Sequence, residues 1–192
     1  MAKQLWRPGN MLYPLPAVLV TTRSAGGRDN VCTVAWTGTI CSDPAMVSIS
    51  LRPARLSYEY LMETGVFGIN LTTASLVRAA DYCGVKSGRD VDKFAELGLT
   101  KLEASSIDCC LIDESPACIE CEVVQQQNLG SHTIFMAKVT AVRAEDRYMD
   151  EKGRFHLEKA QPVVYSHGEY YAPGKRLGSF GYSVKRRNAG KM

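Results

Sequence analysis

The chain has 192 residues and a formal net charge of +3, with 45% hydrophobic and 22% charged residues. These values exclude disordered and fibrous proteins as descriptions of the whole chain. The charge is too small to indicate nucleic-acid binding, because part of it lies in the basic run 185–187. The length predicts one domain, 1–192, with an N-terminal arm at 1–16 and a basic C-terminal tail at 183–192.

We expect a cytoplasmic protein without a membrane segment. The N-terminus lacks the basic start, apolar run and cleavage site of a signal peptide, and no apolar run reaches membrane-spanning length. The seven cysteines are scattered through apolar, strand-like runs rather than set at the spacings of a disulfide framework. This distribution fits a reducing compartment.

The first part of the chain predicts strands joined by turns. Residues 6–16 are rich in Pro and Gly and predict an extended arm that packs on the body, and 17–22 predict a buried strand. Two β-branched runs, 31–40 and 45–51, flank 41–44, where Asp and Pro favour a tight reversal. We therefore expect an antiparallel hairpin at the centre of the sheet.

A group of anion-binding residue types follows this hairpin. Arg52, Arg55 and Ser57 come directly before a helix-like segment at 58–63, and Ser57 takes the place of an N-cap. Two guanidinium groups, a hydroxyl and the free N–H groups of a helix N-terminus are suitable partners for a phosphate monoester. A solvated turn, whose arginines face only water, is the alternative interpretation.

The middle of the chain is less regular. Residues 66–71 predict a strand, and 74–82 predict a helix that Cys83 and Gly84 close. Residues 85–100 form a long polar connection. It is either a binding loop or a surface loop in which Lys93 is solvated. Residues 102–115 show no clear period and receive no assignment.

A second hairpin is predicted from 118–127 and 132–143, with a glycine in the connection and His132 at its rim. A further strand is expected at 163–166. Strands dominate, the predicted helices are two and short, and hairpins link neighbouring strands. The predicted fold class is mainly β, an antiparallel barrel with a helical insertion.

Cys118 and Cys121 have the one spacing that suggests a metal or dithiol site. They lie in a predicted strand, where residues three apart point to opposite faces of the sheet, and the three histidines form no ligand pair. We favour structural thiols and predict no metal site.

Taken in order, the segments resemble the flavin reductase-like family and, within it, the flavoredoxin group. The match covers about residues 10–182. Its motifs are the run Asn30 to Trp36-Thr37-Gly38, the run Pro44 to Ser50 with Arg52-Pro-x-Arg55-x-Ser57, Phe67-x-Ile-Asn-Leu71, Cys83-Gly-x-x-Ser87-Gly88, Asp92-Lys93-Phe94, Gly130-Ser-His132-x-Ile-Phe135, Pro162 to Tyr165, Tyr170-Tyr171 and Leu177-Gly178.

The resemblance implies a split β-barrel that binds FMN and forms a homodimer, with flavin sites near the subunit interface. It places flavin contacts at Asn30, Trp36, Ser57, Lys93, His132 and Tyr165. The neighbouring residues that complete the predicted cofactor site are Thr37, Gly38, Ser50, Arg52, Arg55 and Ser87.

Lys93 and His132 are the candidates for catalytic residues. Hydride delivery leaves negative charge near N1 and the C2 carbonyl of a flavin, where a cation or donor stabilises it. Lys93 is the first candidate if it reaches the ring rather than the phosphate. His132 is the second, and it could instead guide a nicotinamide or accept a proton.

The implied function is transfer of hydride or electrons from a reduced donor, NAD(P)H or an electron-donor protein, through FMN to an unknown acceptor. The sequence lacks a G-x-G-x-x-G motif after a strand, so any NAD(P)H binds transiently over the flavin face. The alternative is an FMN-binding electron-relay, storage or sensing module without turnover.

Overall fold

The computed structural model describes residues 1–184, so the tail residues 185–192 lie outside the described part. Short strands and helices follow one another, with a few 3-10 turns between them. The strands are β1 (Leu15–Pro16), β2 (Val18–Arg23), β3 (Asp29–Val34), β4 (Thr37–Ser42), β5 (Ala45–Leu51), β6 (Val66–Leu71), β7 (Lys101–Glu103), β8 (Cys110–Ile112), β9 (Ala117–Asn128), β10 (Thr133–Ala144), β11 (Val164–Ser166) and β12 (Glu169–Tyr171). The α-helices are α1 (Leu56–Thr64), α2 (Val77–Val85) and α3 (Lys93–Leu97).

Seven strands form one antiparallel sheet in the order β3-β2-β6-β9-β10-β5-β4. The prediction of a mainly β, antiparallel fold is confirmed. Although β3 and β4 are consecutive in the chain, they lie at opposite ends of this strand order. The Ser50 amide nevertheless donates to the Trp36 carbonyl at 2.9 Å, so the connection between β3 and β4 lies against the end of β5.

The predicted continuous strand 31–40 is wrong in one respect, because it breaks at residues 35–36. Its first half pairs with β2, whereas its second half pairs with β5 through the predicted reversal. The two halves bond to different partners, so the backbone has to change direction between them. Trp36 lies in this bend, outside both strands.

The second hairpin is confirmed, since β9 and β10 pair along their whole lengths around a short turn. The unassigned segment 102–115 contains the two-stranded β7-β8 sheet, whose strands are too short to show a period. The N-terminal arm is attached at its end, where Leu15 pairs with Tyr165 of β11.

Apolar side chains pack on both faces of β2 and β3. One cluster contains Val20, Phe67 and Phe135 together with Leu61 of α1. A second cluster lies on the other face, where α2, α3 and β8 cover Leu19. Burial on both faces explains why these strands are almost continuously hydrophobic.

Two predicted helix boundaries are wrong. Ser57 is not the N-cap, because α1 begins at Leu56 and Arg55 takes the cap position without a side-chain cap bond. Gly84 does not end α2, because the helix continues to Val85 and Lys86 is its C-cap. Both errors have the same cause. Serine and glycine are common at helix ends, but their presence does not by itself fix the residue at which a helix begins or ends.

The connection 85–100 contains α3, so the prediction of only two helices is also wrong. Asp92 is the N-cap of α3, and its carboxylate accepts hydrogen bonds from the Phe94 and Ala95 amides. Gly98 ends the helix in the left-handed conformation. The helix has five residues, too few to show an apolar period in the sequence.

The thiols of Cys118 and Cys121 are buried in different surroundings. The Cys118 thiol approaches the Ile112 carbonyl, whereas Cys121 belongs to the cluster around Phe67. In the described part of the chain, no helix is both long enough and apolar enough to cross a membrane.

The carboxylate of Glu120 is fully buried in β9 and ties the β7-β8 connection to the sheet. It accepts hydrogen bonds from the amides and hydroxyls of Ser105 and Ser106 and from the Arg143 guanidinium. Burial alone would raise the pKa, but these hydrogen bonds outweigh it and bring the pKa of Glu120 to about 2.

We expect Glu120→Gln to lower the free energy of unfolding at pH 7 by about 3 kcal/mol. The folded-state pKa is depressed, so this stability is fully present above the ordinary value of 4.5 and is lost as the pH falls towards 2. Urea unfolding between pH 2 and pH 7 measures both effects. The exposed neighbour substitution Glu122→Gln is the control, and equal pH dependence of the two variants would contradict the assignment.

Candidate functional site

A cavity of 420 Å3 opens where the end of β3, the end of β5, α2 and the β11-β12 hairpin meet. It lies beside the bend between β3 and β4. The structure brings six of the predicted site residues to its wall: Trp36, Ser50, Arg52, Arg55, His132 and Tyr165.

Aromatic side chains form much of this wall. The rings of Trp36 and His132 lie 4.5 Å apart between centroids, and those of Tyr165 and Tyr170 lie 5.4 Å apart. Trp36 is 40% exposed, which is unusual for so large an apolar side chain. The wall can therefore cover a flat ring system.

Cations without carboxylate partners lie at one side of the cavity. Within residues 1–184, no Asp or Glu forms an ion pair with Arg52 or Arg55. Burial and the neighbouring Arg52 lower the pKa of His132. His132 is therefore neutral at pH 7, and Ser131 lies 2.9 Å from its Nδ1 atom.

A smaller cavity of 70 Å3 adjoins the first, and both are lined by Cys32 and Arg55. It brings the predicted residues Asn30, Ser87 and Lys93 next to Arg55. Three segments of the chain, at Asn30, at Arg55 and at 87–93, thus line one cavity.

The ammonium group of Lys93 is held inside the protein. Lys93 is 4% exposed, and its Nζ atom donates to the Val31 carbonyl at 2.7 Å and to the Cys83 carbonyl at 3.1 Å. None of the described carboxylates pairs with it, and burial lowers its pKa. A buried cation held only by carbonyl groups would be stabilised by an anion nearby.

Ser57 lies behind this cavity and lines none of the three cavities around the site. It is fully buried, and its hydroxyl accepts hydrogen bonds from Asn30 at 2.8 Å and from Thr22 at 3.1 Å. Ser57 therefore holds the Asn30 side chain in place. Its predicted contact with the phosphate stays a prediction.

The two predicted residues Thr37 and Gly38 lie elsewhere, in the wall of a third cavity of 610 Å3. Residues 9–13 of the N-terminal arm form its other side. Tyr13, Trp36 and Ser50 line both this cavity and the principal one, so the two are neighbours.

A family model described as a flavin reductase like domain matches residues 10–174. The chain belongs to the flavin reductase-like family. Flavoredoxin of Desulfovibrio vulgaris (Miyazaki F) has a similar structure, with a TM-score of 0.89 and 34% identity over 96% of this chain and 100% of that one. The family resemblance inferred from the motifs is confirmed, and the fold matches that of its split-barrel proteins.

Two further relatives extend the comparison. An FMN-binding protein from Thermus thermophilus has a TM-score of 0.77 and 22% identity, covering 93% of this chain and 99% of that one, and this likeness shows the fold alone. A curated relative from Aeropyrum pernix is 31% identical over 156 residues, which make up 81% of this chain and 58% of the relative. The chain thus spans less than two thirds of that relative's length.

The site also contains residues that sequence reasoning missed: Tyr13, Cys32, Asp81, Gly84 and Tyr170. Tyr170 stands in a family motif and could have been chosen for that reason. Gly84 was read as a helix end, although it lies within α2 where a Cβ would come 3.5 Å from Thr33. Tyr13 and Asp81 carry no local signal, because only the packing of the arm and of α2 brings them to the cavity.

These residues fit a flavin mononucleotide. The larger cavity offers aromatic walls for a ring, and the smaller one offers cations and a hydroxyl for a phosphate. Gly88 lines the smaller cavity, and a Cβ at this position would lie 2.0 Å from the Asn30 Oδ1 atom. A residue with a side chain is therefore not tolerated there without moving Asn30.

Proposed function

We propose that the protein is an FMN-binding oxidoreductase that takes electrons from NAD(P)H and passes them to an acceptor. The observation that carries the proposal is the junction at Arg55, where an aromatic cavity meets a cavity lined by uncompensated cations. One junction thus provides surroundings for an apolar ring and for an anionic tail. The family model, described as a flavin reductase like domain, supports the choice of a flavin.

The phosphate end of the cofactor is assigned to the smaller cavity. Arg55 and Lys93 supply charge, Ser87 supplies a hydroxyl, and the first turn of α1 supplies N–H groups. Lys93 lines this cavity and not the one that contains Trp36 and His132. Its role is therefore to bind the phosphate rather than to stabilise charge on the ring.

The ring is assigned to the principal cavity. Trp36 and Tyr165 cover it, and Ser50 offers a polar partner at its edge. Asn30, which donates a hydrogen bond to Ser57, lines the smaller cavity together with Arg55 and Lys93. When bound, the flavin supplies the two-electron chemistry that the side chains themselves lack.

His132 is assigned to the exposed side of the ring site. It is partly exposed and neutral at pH 7, so it can position a nicotinamide amide group or accept a proton. Arg52, which is exposed beside it, offers a positive charge to the phosphates of the same donor.

The proposal includes a homodimer. Apolar side chains are exposed on the sheet at Ile40, Val124 and Val142 and in the β9-β10 turn at Leu129. A second copy could remove this surface from water. Light scattering of the purified protein should give twice the mass of 21.1 kDa, and a monomer at micromolar concentration would contradict it.

The function is tested by the colour of the purified protein and by anaerobic titration. We expect a yellow protein that releases FMN on denaturation and whose flavin is bleached by NADH or NADPH. A colourless protein that does not take up added FMN would contradict the proposal. A yellow protein that neither donor bleaches would instead identify an electron-relay or storage module.

Replacing Trp36 by alanine should weaken binding of the ring more than binding of the phosphate. We expect riboflavin affinity to fall about tenfold, because a large aromatic contact is lost. FMN affinity should fall by a similar factor because it has the same ring, but FMN should stay the tighter ligand since its phosphate contacts remain. Fluorescence titration with both ligands measures this, with Trp6→Ala as the control because Trp6 is exposed and lines none of the three cavities.

A further inference from the structure

The 610 Å3 cavity beside the ring site has no role in holding the cofactor as assigned above. Its size is within the range of roughly 300–1,000 Å3 that is usual for small-molecule sites. The arm residues Met11 and Leu12 face the strand residues Thr37 and Gly38 across it. It is therefore large enough for a second small molecule.

This cavity is adjacent to the site assigned to the ring. Tyr13, Trp36 and Ser50 line both cavities, so a molecule in the second one lies against the same side chains that cover the first. A binding site for the electron acceptor has to lie next to the flavin ring, because hydride and electron transfer require close approach of donor and acceptor.

The two cavities differ in charge. Arg52, Arg55, Asp81 and His132 line the principal cavity, whereas the described residues around the second one include no Asp, Glu, Lys, Arg or His. Its hydrogen-bonding side chains are uncharged and include Asn10, Thr37 and Ser48. A charged ligand would find no ionic partner among these side chains, whereas an apolar ligand would remove their exposed apolar surface from water, so the site favours a neutral, apolar ligand.

The covering segment is held at Leu15 and at Tyr13, whose ring centroid lies 4.2 Å from that of His167, and the two residues before Tyr13 are exposed. Leu15 is tied to β11 by its pairing with Tyr165, while Met11 is 57% and Leu12 is 84% exposed. These apolar side chains contribute little to the protein core. A methionine adapts its shape readily to different apolar ligands.

We propose that the arm-covered cavity binds the electron acceptor, and that this acceptor is a small, uncharged, largely apolar molecule. A hydrogen-bond acceptor on it meets the uncharged side chains of Thr37 and Ser48, and its apolar part packs on Trp36 and Met11. Benzaldehyde, a small neutral aromatic molecule with one hydrogen-bond acceptor, serves as the probe. That the bound molecule is an electron acceptor rests on the proposed function. The binding of a neutral molecule in this cavity does not depend on that function.

The first test compares benzaldehyde with 4-carboxybenzaldehyde, which differs by one negative charge. Saturation-transfer NMR on the full chain, with and without FMN, measures the affinity of each. We expect the neutral aldehyde to bind at least tenfold more tightly in both forms. Equal affinity for the two aldehydes, or no binding of the neutral one, would overturn the inference.

The second test places a charge in the wall. Met11→Asp should weaken benzaldehyde binding at least tenfold, whereas Leu5→Asp, on the same arm but outside the cavity, should change it less than twofold. Equal effects of the two variants would overturn the inference. So would a Met11→Asp protein that changes from dimer to monomer in light scattering, because the cavity would then be an interface between copies.

The two proposals fail in different ways. A protein that binds benzaldehyde but takes up no FMN would remove the proposed function and leave the neutral-ligand site standing. A protein that binds FMN and is bleached by NADPH, yet ignores benzaldehyde, would remove this inference alone.

Discussion

Lys93→Met is expected to lower FMN affinity about 50-fold, while riboflavin affinity changes less than threefold. The substitution keeps the length of the side chain and removes the charge that lies beside Arg55 and Ser87. Only the phosphate-bearing ligand uses this charge. Fluorescence titration of the flavin-free protein with each ligand measures the difference.

Lys138→Met is the matched control, because Lys138 is exposed on β10 and lies at none of the three cavities. The buried carbonyl groups of Val31 and Cys83 lose their contact with Lys93, so thermal unfolding of the flavin-free variant has to be measured as well. Equal losses for FMN and riboflavin would show that Lys93 acts on the ring or only supports the fold.

Gly88→Ala is expected to lower the free energy of unfolding by about 2 kcal/mol and to weaken FMN binding at least tenfold. The new methyl carbon would lie 2.0 Å from the Asn30 Oδ1 atom and 3.1 Å from the Leu56 Cδ2 atom. Moving the Asn30 amide away from this carbon would break its hydrogen bond to Ser57. The cost is therefore the loss of that hydrogen bond and of the position of Asn30.

A double-mutant cycle tests this cause. In an Asn30→Ala protein the clash with the amide is gone, so the same Gly88→Ala change should cost much less. Gly174→Ala is a control, because a Cβ there meets nothing within 4 Å. Purely additive effects of the Asn30 and Gly88 substitutions would show that the two residues do not act on each other.

The parts of the fold that the sequence predicted are those with local patterns. The strand β6 was predicted with its observed bounds, and the β9-β10 hairpin was predicted from alternation and a glycine in the turn. In these segments the order of apolar and polar residues along the chain shows on which face of the sheet each side chain lies. The break at residues 35–36 was missed, because it depends on which strands the two halves pair with.

The candidate site shows the same division. Arg55 was predicted as a candidate anion-binding residue from the turn and helix beside it, with a solvated turn as the alternative, and it lines both cavities assigned to the cofactor. Ser57 was placed at the wrong helix position, and its hydroxyl is used to orient Asn30. Nothing local in the sequence indicated that Lys93 is held by carbonyl groups of β3 and α2.

The sequence by itself determined the mainly β class, the order of the hairpins, the family and most of the residue types that a flavin nucleotide needs. Only the tertiary structure decided how these residues are divided among three adjoining cavities, one of them covered by the N-terminal arm. The physical reason is that strand pairing and helix packing join residues such as Asn30, Lys93 and His132, which no short-range pattern connects.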